Sequence, residues 1–226
     1  MNIPRLGQAL QKEHLQFLKA FATSCRRTSI EMLKQSESGH PGGSLSCMDF
    51  LSLLYAFLIS QNGEKVVISN GHISPAVYSV LAALGYVNKE EVIKTFRQVG
   101  SIFEGHVTRH VPGVFYGTGP LGIGVAVATG FALGEKLHKS KQHVYCLLGD
   151  GECQEGEVYE ALHFGNKYQL NNLTVFVDYN AIQLSGPLQE IMPIDLPAIF
   201  RSSHWNVIEV NGHDFKKLWA ALHEAR

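Results

Sequence analysis

Residues 143–180 constrain the fold more than any other stretch of the chain. His143 to Leu148 reads as a strand, Gly149-Asp150-Gly151 as a tight turn at its end, and residues 157–168 as a helix. Leu173 to Val177 reads as the next strand, ending at Asp178-Tyr179-Asn180. Strand, helix, strand in this order gives a right-handed crossover between parallel neighbours. The strands are continuous apolar runs, as expected where both faces of a parallel sheet are covered. The class is therefore α/β: a three-layer, mostly parallel sheet with helices on both faces. In such a sheet ligands collect at the carboxyl ends of the strands. Both polar clusters fall there, and the thirty positions between Asp150 and Asn180 suffice for one crossover.

A carboxylate and an amide oxygen brought together in this way suit a hard cation such as Mg2+ or Ca2+, which prefers oxygen and keeps contacts with phosphates. The carbonyl of Ile182 can add a third protein oxygen. Glycines on either side of Asp150 let the backbone approach a diphosphate, and the helix that follows can aim N–H groups at it. A plainer reading stays open, in which Asp150 caps the next helix and Asn180 holds a turn. A dinucleotide site fits less well: Gly149-Asp150-Gly151 continues as Glu152-Cys153-Gln154, so GxGxxG is absent, as is a Walker A motif.

The rest of the chain supplies helices and two further strands. Residues 12–36 form one amphipathic helix with Leu15, Leu18, Phe21, Ala22, Cys25, Ile30 and Leu33 at helical spacing. Ser38-Gly39-His40-Pro41-Gly42-Gly43 stops it. Helices are expected over 47–60, 75–84, 157–168 and 214–223, and one from an Asn88/Glu91 capping box to about Val99. Strands are expected over 65–69 and 206–210. No linker divides the chain, so residues 1–226 read as one domain.

Hydrophobic residues at 45% and charged residues at 17% exclude a disordered chain, and a net charge of -1 gives no reason to expect nucleic acid or an anionic membrane. Residues 111–134 lack Asp, Glu, Lys and Arg, but two prolines and seven glycines make a buried loop and helix the better account than a membrane span. The first twenty residues have no secretory signal pattern. The four cysteines show no CxxC spacing and read as reduced, in a cytoplasmic protein. Of the eleven histidines, His40, His72 and His106 stand out because each adjoins a glycine-containing turn, where an imidazole can point into a cleft and exchange protons near neutral pH.

Taken together, Ser38-Gly39-His40-Pro41-Gly42-Gly43, Ser69-Asn70-Gly71-His72, Glu104-Gly105-His106, Gly119-Pro120-Leu121-Gly122, Gly149-Asp150-Gly151-Glu152-Cys153-Gln154-Glu155-Gly156, Asp178-Tyr179-Asn180 and Asn211-Gly212-His213-Asp214 resemble the N-terminal, diphosphate-binding region of the transketolase family over nearly the whole chain. That resemblance implies thiamine diphosphate and Mg2+, with Ca2+ or Mn2+ as substitutes. It assigns Asp150, Asn180 and the Ile182 carbonyl to the metal. Gly149, Gly151, Gly119, Leu121 and His72 would bind the cofactor, His72 beside the diphosphate. Glu155 would join the cofactor set through a buried polar network at a subunit interface. His40 and His106 would face the sugar and, with His72, serve catalysis. The implied reaction is transfer of a two-carbon ketol unit from a ketose (phosphate) to an aldose (phosphate). A related two-component carboligase or acyl-transfer enzyme of a specialised pathway is the alternative, favoured by Ala181 and Leu184-Ser185-Gly186 where the family has other residues. A noncatalytic cofactor-binding relative is the third. The pyrimidine-binding and C-terminal domains have no counterpart here. A companion chain carrying the activating glutamate is therefore expected, in an α2β2 assembly, unless the chain is a truncation.

Overall fold

The computed structural model describes residues 3–59 and 63–226. In chain order the elements are α1 (Lys12–Ser36), α2 (Pro41–Ser46), α3 (Met48–Leu54) running into a π-helical turn (Tyr55–Ile59), β1 (Lys65–Ile68), a 3-10 turn (Gly71–Ile73), α4 (Ser74–Ala83) and α5 (Lys89–Thr95). Then follow α6 (Ile123–Leu137), β2 (Val144–Gly149), a 3-10 turn (Gly151–Gln154), α7 (Gly156–Lys167), β3 (Leu173–Asp178), β4 (Ile182–Gln183), β5 (Gly186–Pro187), α8 (Leu188–Ile191), α9 (Leu196–Ser202) and α10 (Phe215–Glu224). Two compact units share these elements. One comprises Met1–Gly63, Gly71–Gly117 and Val210–Glu224; the other comprises Glu64–Asn70, Thr118–Glu209 and Ala225–Arg226.

The first unit is helical. Its buried stripe on α1 runs through Leu18, Ala22, Cys25, Thr28, Ser29 and Met32. The apolar pattern predicts Ile30 and Leu33 there instead, yet Ile30 is 51% exposed. Small hydroxyl residues replace them because α1 packs closely on α4: the Ser29 and Ser79 hydroxyls share a 2.9 Å hydrogen bond and both reach the Pro75 carbonyl. Arg26 forks onto Asp49 of α3 with two 2.8 Å bonds, and His213 Nδ1 lies 2.9 Å from the same carboxylate. Burial alone would raise the Asp49 carboxyl, but the Arg26 and His213 hydrogen bonds outweigh it and hold it below the ordinary range.

The second unit carries the sheet. Strands β1, β2 and β3 are parallel and adjacent in that order, with Gly149 opposite Asp178 at the far end of the β2–β3 ladder. Helix α6 packs on all three strands. A β-carbon on its Gly124 would lie 2.5 Å from Ser69 Cα, so only glycine allows this approach to the end of β1. The α/β class and the β2–α7–β3 crossover therefore stand as read from sequence.

Two expectations fail. Residues 206–210 form no strand: Trp205 instead docks on α7, its Nε1 donating to the Leu162 carbonyl at 3.0 Å and its ring filling the space beside Gly165. An apolar run becomes a strand only where a ladder partner is in reach. Helix α5 ends at Thr95, four residues before Val99, because Phe96 turns to ψ 125 and Arg97 N donates to the Phe103 carbonyl rather than back into the helix. The stop at residues 38–43 holds: α1 ends at Ser36 and His40 is extended before Pro41, which then opens α2 at its first turn, where a missing N–H is harmless. Of the predicted helix 47–60, residue 60 lies outside the described residues.

Candidate cofactor site

The tips of β2 and β3 meet through Asp150. Its carboxylate accepts the Gly151 N–H at 2.7 Å on one oxygen and the Ala181 N–H at 2.7 Å on the other. The second bond fixes the carboxylate to the turn that carries Asn180. Ala181 takes φ +60 to deliver it, a left-handed backbone uncommon for a residue with a side chain. Asn180 Oδ1 accepts the Ile182 N–H at 3.0 Å, and Asn180 Nδ2 donates to Asp178 at 3.2 Å. Burial pushes the Asp150 carboxyl up, opposed by the Ala181 and Gly151 N–H groups and reinforced by Asp178. Each carboxylate oxygen has a second lone pair, so the backbone bonds leave acceptor capacity for a cation. Among the described residues no three His, Cys, Asp or Glu side chains converge as a metal-holding group; one carboxylate with amide and carbonyl oxygens is a different donor set, suited to an ion that also takes phosphate oxygens.

The chain around these tips has room and unused polar atoms. Asn70 is 2% exposed and among the described residues its Oδ1 has no partner; Gln183 Nε2 is buried in the same condition. The Gln183 side chain lies 3.3 Å from where a β-carbon on Gly151 would be, and Asn70 lies 3.8 Å from the equivalent point on Gly149. Gly119 faces open space, and Leu121 and Ile182 are exposed. Unsatisfied buried polar atoms are rare in native proteins, and two of them here lie beside Gly149 and Gly151. The residues present fit a diphosphate with its metal.

Glu155, which the resemblance assigns to a polar network at a subunit interface, is exposed within this chain and stands at the N-terminal end of α7. Beside Asp150 a second carboxylate, Glu152, is buried, 2% exposed. It accepts from Ser69 Oγ at 2.5 Å, Gly122 N at 2.9 Å and Gly149 N at 3.1 Å, tying the ends of β1 and β2 to the glycine loop before α6. Burial raises the Glu152 carboxyl against these three donors. Its one mark in the sequence is a second acid two positions beyond Asp150, inside the turn that the metal reading already occupies.

The three singled-out histidines belong to the first unit. His40 precedes α2, and its ring lies 5.3 Å from that of His72. Gly43 makes room for His72, whose Nε2 would be 3.5 Å from a β-carbon there. His106 sits on a loop clamped from α4: Ser74 Oγ donates to the Gly105 carbonyl at 2.8 Å, Tyr78 OH to the His106 carbonyl at 3.0 Å, and Val107 N to the Gly71 carbonyl at 3.3 Å. Burial, helped by the charges of His40 and His106, lowers His72 to about 4, so its imidazole is neutral at physiological pH. Burial also lowers His40, with Arg97 and His106 adding to it.

Residues 18–226 match the family described as transketolase, thiamine diphosphate binding domain. The chain belongs to the transketolase family. Its thiamine-diphosphate-binding domain is the part of that family present here. Similar proteins include an apulose-4-phosphate transketolase subunit of Phocaeicola vulgatus, 36% identical over 85% of this chain and 72% of that one. The 6-deoxy-6-sulfo-D-fructose transketolase subunit SqwG of a Clostridium species is 33% identical over 91% of this chain and 78% of that one. A crystal structure of transketolase from Campylobacter jejuni superposes with a TM-score of 0.87 at 35% identity, covering 93% of this chain and 35% of that one. The transketolase-family chain thus spans most of the length of those two relatives but about a third of that solved transketolase. Among its described residues no helix is long and apolar enough to cross a membrane.

Proposed function

We propose that this chain is the diphosphate- and metal-binding component of a two-component transketolase of a specialised sugar pathway, active with a companion chain that supplies the activating glutamate. The observation that carries this is the Asp150 carboxylate pinned to the Asn180 turn beside unused polar atoms at Gly149 and Gly151. The relatives named for apulose-4-phosphate and 6-deoxy-6-sulfo-D-fructose are both called subunits. Their names favour the specialised two-component reading over a general pentose-sugar transketolase.

Asp150, Asn180 and the Ile182 carbonyl hold Mg2+ in this reading. Gly149 and Gly151 admit the diphosphate, and Gly119 and Leu121 line the rest of the cofactor. Bound thiamine diphosphate supplies the electron sink for carbon–carbon cleavage. The chain's own contribution is position and proton handling. A neutral His72 donates or accepts a hydrogen bond without adding charge. His40 and His106 orient sugar hydroxyls and exchange their protons. Glu155, exposed in the single chain, is available to a companion chain, and an α2β2 assembly accommodates two such sites.

The test combines the purified chain with its companion, thiamine diphosphate and Mg2+, and follows two-carbon transfer from phosphorylated, sulfonated and uncharged ketoses. Turnover in the mixture alone, with an anionic donor preferred, is the expected result. Turnover by the chain alone, or none with any donor despite cofactor binding, overturns the proposal.

A further inference from the structure

The β4–β5 hairpin that follows Asn180 is built inside out. Ile182 pairs with Pro187 and Gln183 with Gly186, so successive side chains of β4 point to opposite sides. In a strand with one covered face the apolar residue ordinarily turns inward and the polar one outward. Here Ile182 is 67% and Leu184 98% exposed, while Gln183 between them is half-buried. Its side chain lies against the tip of β2: a β-carbon on Gly151 would be 3.3 Å from Gln183 Cγ and 3.5 Å from Nε2. The glycine after Asp150 therefore makes room for the Gln183 stem as well as for a ligand.

The amide arrives there without a partner. Among the described residues Gln183 Nε2 is buried and donates to nothing, and a buried N–H left in that state costs stability. Asn70 Oδ1, on the Gly149 side, is the other orphan at these tips. The two atoms have opposite chemistry. A phosphate oxygen only accepts, so it satisfies an amide N–H and cannot satisfy an amide oxygen. Of the two orphans, Gln183 Nε2 is thus the one that answers to an anion. Its neutrality suits the place. Asp150 and Asp178 stand close enough for their charges to act on each other, and a lysine or arginine between them would be drawn to the carboxylates. An amide keeps its donor free for the ligand.

We propose that Gln183 is a further cofactor-binding residue, its Nε2 donating to an oxygen of the diphosphate beside Gly151. The assignment rests on the cofactor reading and adds to it a donor from the segment in which Ala181 and Leu184-Ser185-Gly186 depart from the family pattern. The bond is made only when ligand is present. Until then the unmade bond weakens the empty chain, so removing the amide separates stability from binding.

Calorimetry on the full chain with Mg2+ tests this, with inorganic pyrophosphate and thiamine diphosphate as the two probes. Gln183→Leu keeps the stem and removes the donor, so affinity for both probes should fall about tenfold or more, by the same factor. Gln183→Glu sets a like charge beside the phosphate and should weaken both further. Without ligand, the melting temperature of Gln183→Leu should hold or rise, because an unsatisfied donor has gone. The upward shift on adding pyrophosphate and Mg2+ should shrink. Equal pyrophosphate affinity in wild type and Gln183→Leu would overturn the proposal while leaving the cofactor site standing. A loss confined to thiamine diphosphate would do the same, since it would set the amide against the organic part of the cofactor. A ligand-free melting temperature that falls together with affinity would mark a merely structural amide and overturn it too. A wild-type chain that binds neither probe with Mg2+, alone or with its companion, would remove the cofactor reading and the Gln183 assignment together.

Discussion

Asp150 carries the heaviest demand of any single residue. It must accept two backbone N–H groups from different loops while staying negative enough to hold a cation against a diphosphate. Asparagine at this position has one acceptor oxygen instead of two and no charge. Asp150→Asn should therefore weaken Mg2+-dependent thiamine diphosphate binding by about tenfold to a hundredfold, as expected for loss of charge-assisted bonds. Calorimetry on a variant with an unchanged circular dichroism spectrum checks this, and equal affinity and metal dependence would contradict the site. Glu152 poses a sharper case for stability. Three donors converge on its carboxylate, so Glu152→Gln turns an amide N–H toward one of them; unfolding free energy should fall by about 2 kcal/mol, read from a urea midpoint. Asp150 and Asn180 are legible in sequence because strand-end polar residues are conspicuous against apolar runs. Glu152, Gln183 and Asn70 are not, because their importance arises from partners 30 to 83 positions away or from having none.

Among the elements, α4 does the most to organise the histidines. It begins directly after the 3-10 turn that carries His72, and its buried Ser74 and Tyr78 hydroxyls clamp the loop that carries His106. Removing one clamp should loosen His106 without touching the cofactor tips. Tyr78→Phe keeps the ring that packs edge-on against Phe96 and Phe103 and deletes only the hydroxyl. We expect a stability loss of about 1 kcal/mol, a severalfold fall in kcat with the companion present, and unchanged thiamine diphosphate affinity. The decisive comparison is a double variant: Tyr78→Phe should add little to His106→Ala if both act through the same imidazole. Elements with a strong internal period, such as α1, can be read to their ends from sequence. The buried face of α1 cannot be read past Cys25, because close packing on α4 selects Thr28 and Ser29 over Ile30 and Leu33. Residues 206–210 have the composition of a strand, but strand formation depends on a neighbour, and the docking of Trp205 on α7 decides the segment's path.

For the molecule as a whole, acid should be the condition that exposes its polar interior. His143 is 4% exposed, bonds Thr174 at 2.7 Å and is lowered to about 4 by burial, with Arg226 adding to the effect. His72 is lowered to about 4 as well. In the unfolded chain both imidazoles bind protons at the ordinary value near 6.5. Between those limits the unfolded state holds more protons than the folded one, so stability rises with pH across the window and is lost as pH falls from about 6.5 toward about 4. Asp49 acts differently. Its folded carboxyl is held below the ordinary range, so its contribution is complete above the unfolded carboxyl value and disappears only as pH falls through the lowered folded one. The two histidines should therefore begin the loss of stability before the Asp49 network adds to it. Melting temperature measured from about pH 7.5 to 4.5 should fall steadily through the histidine window. His143→Asn, which cannot take up a proton, should flatten that fall even where it lowers the melting temperature at the neutral end. A variant curve parallel to wild type would mean that His143 titrates in the folded protein as it does in the unfolded chain, and that the buried contact with Thr174 does not exclude the charged form.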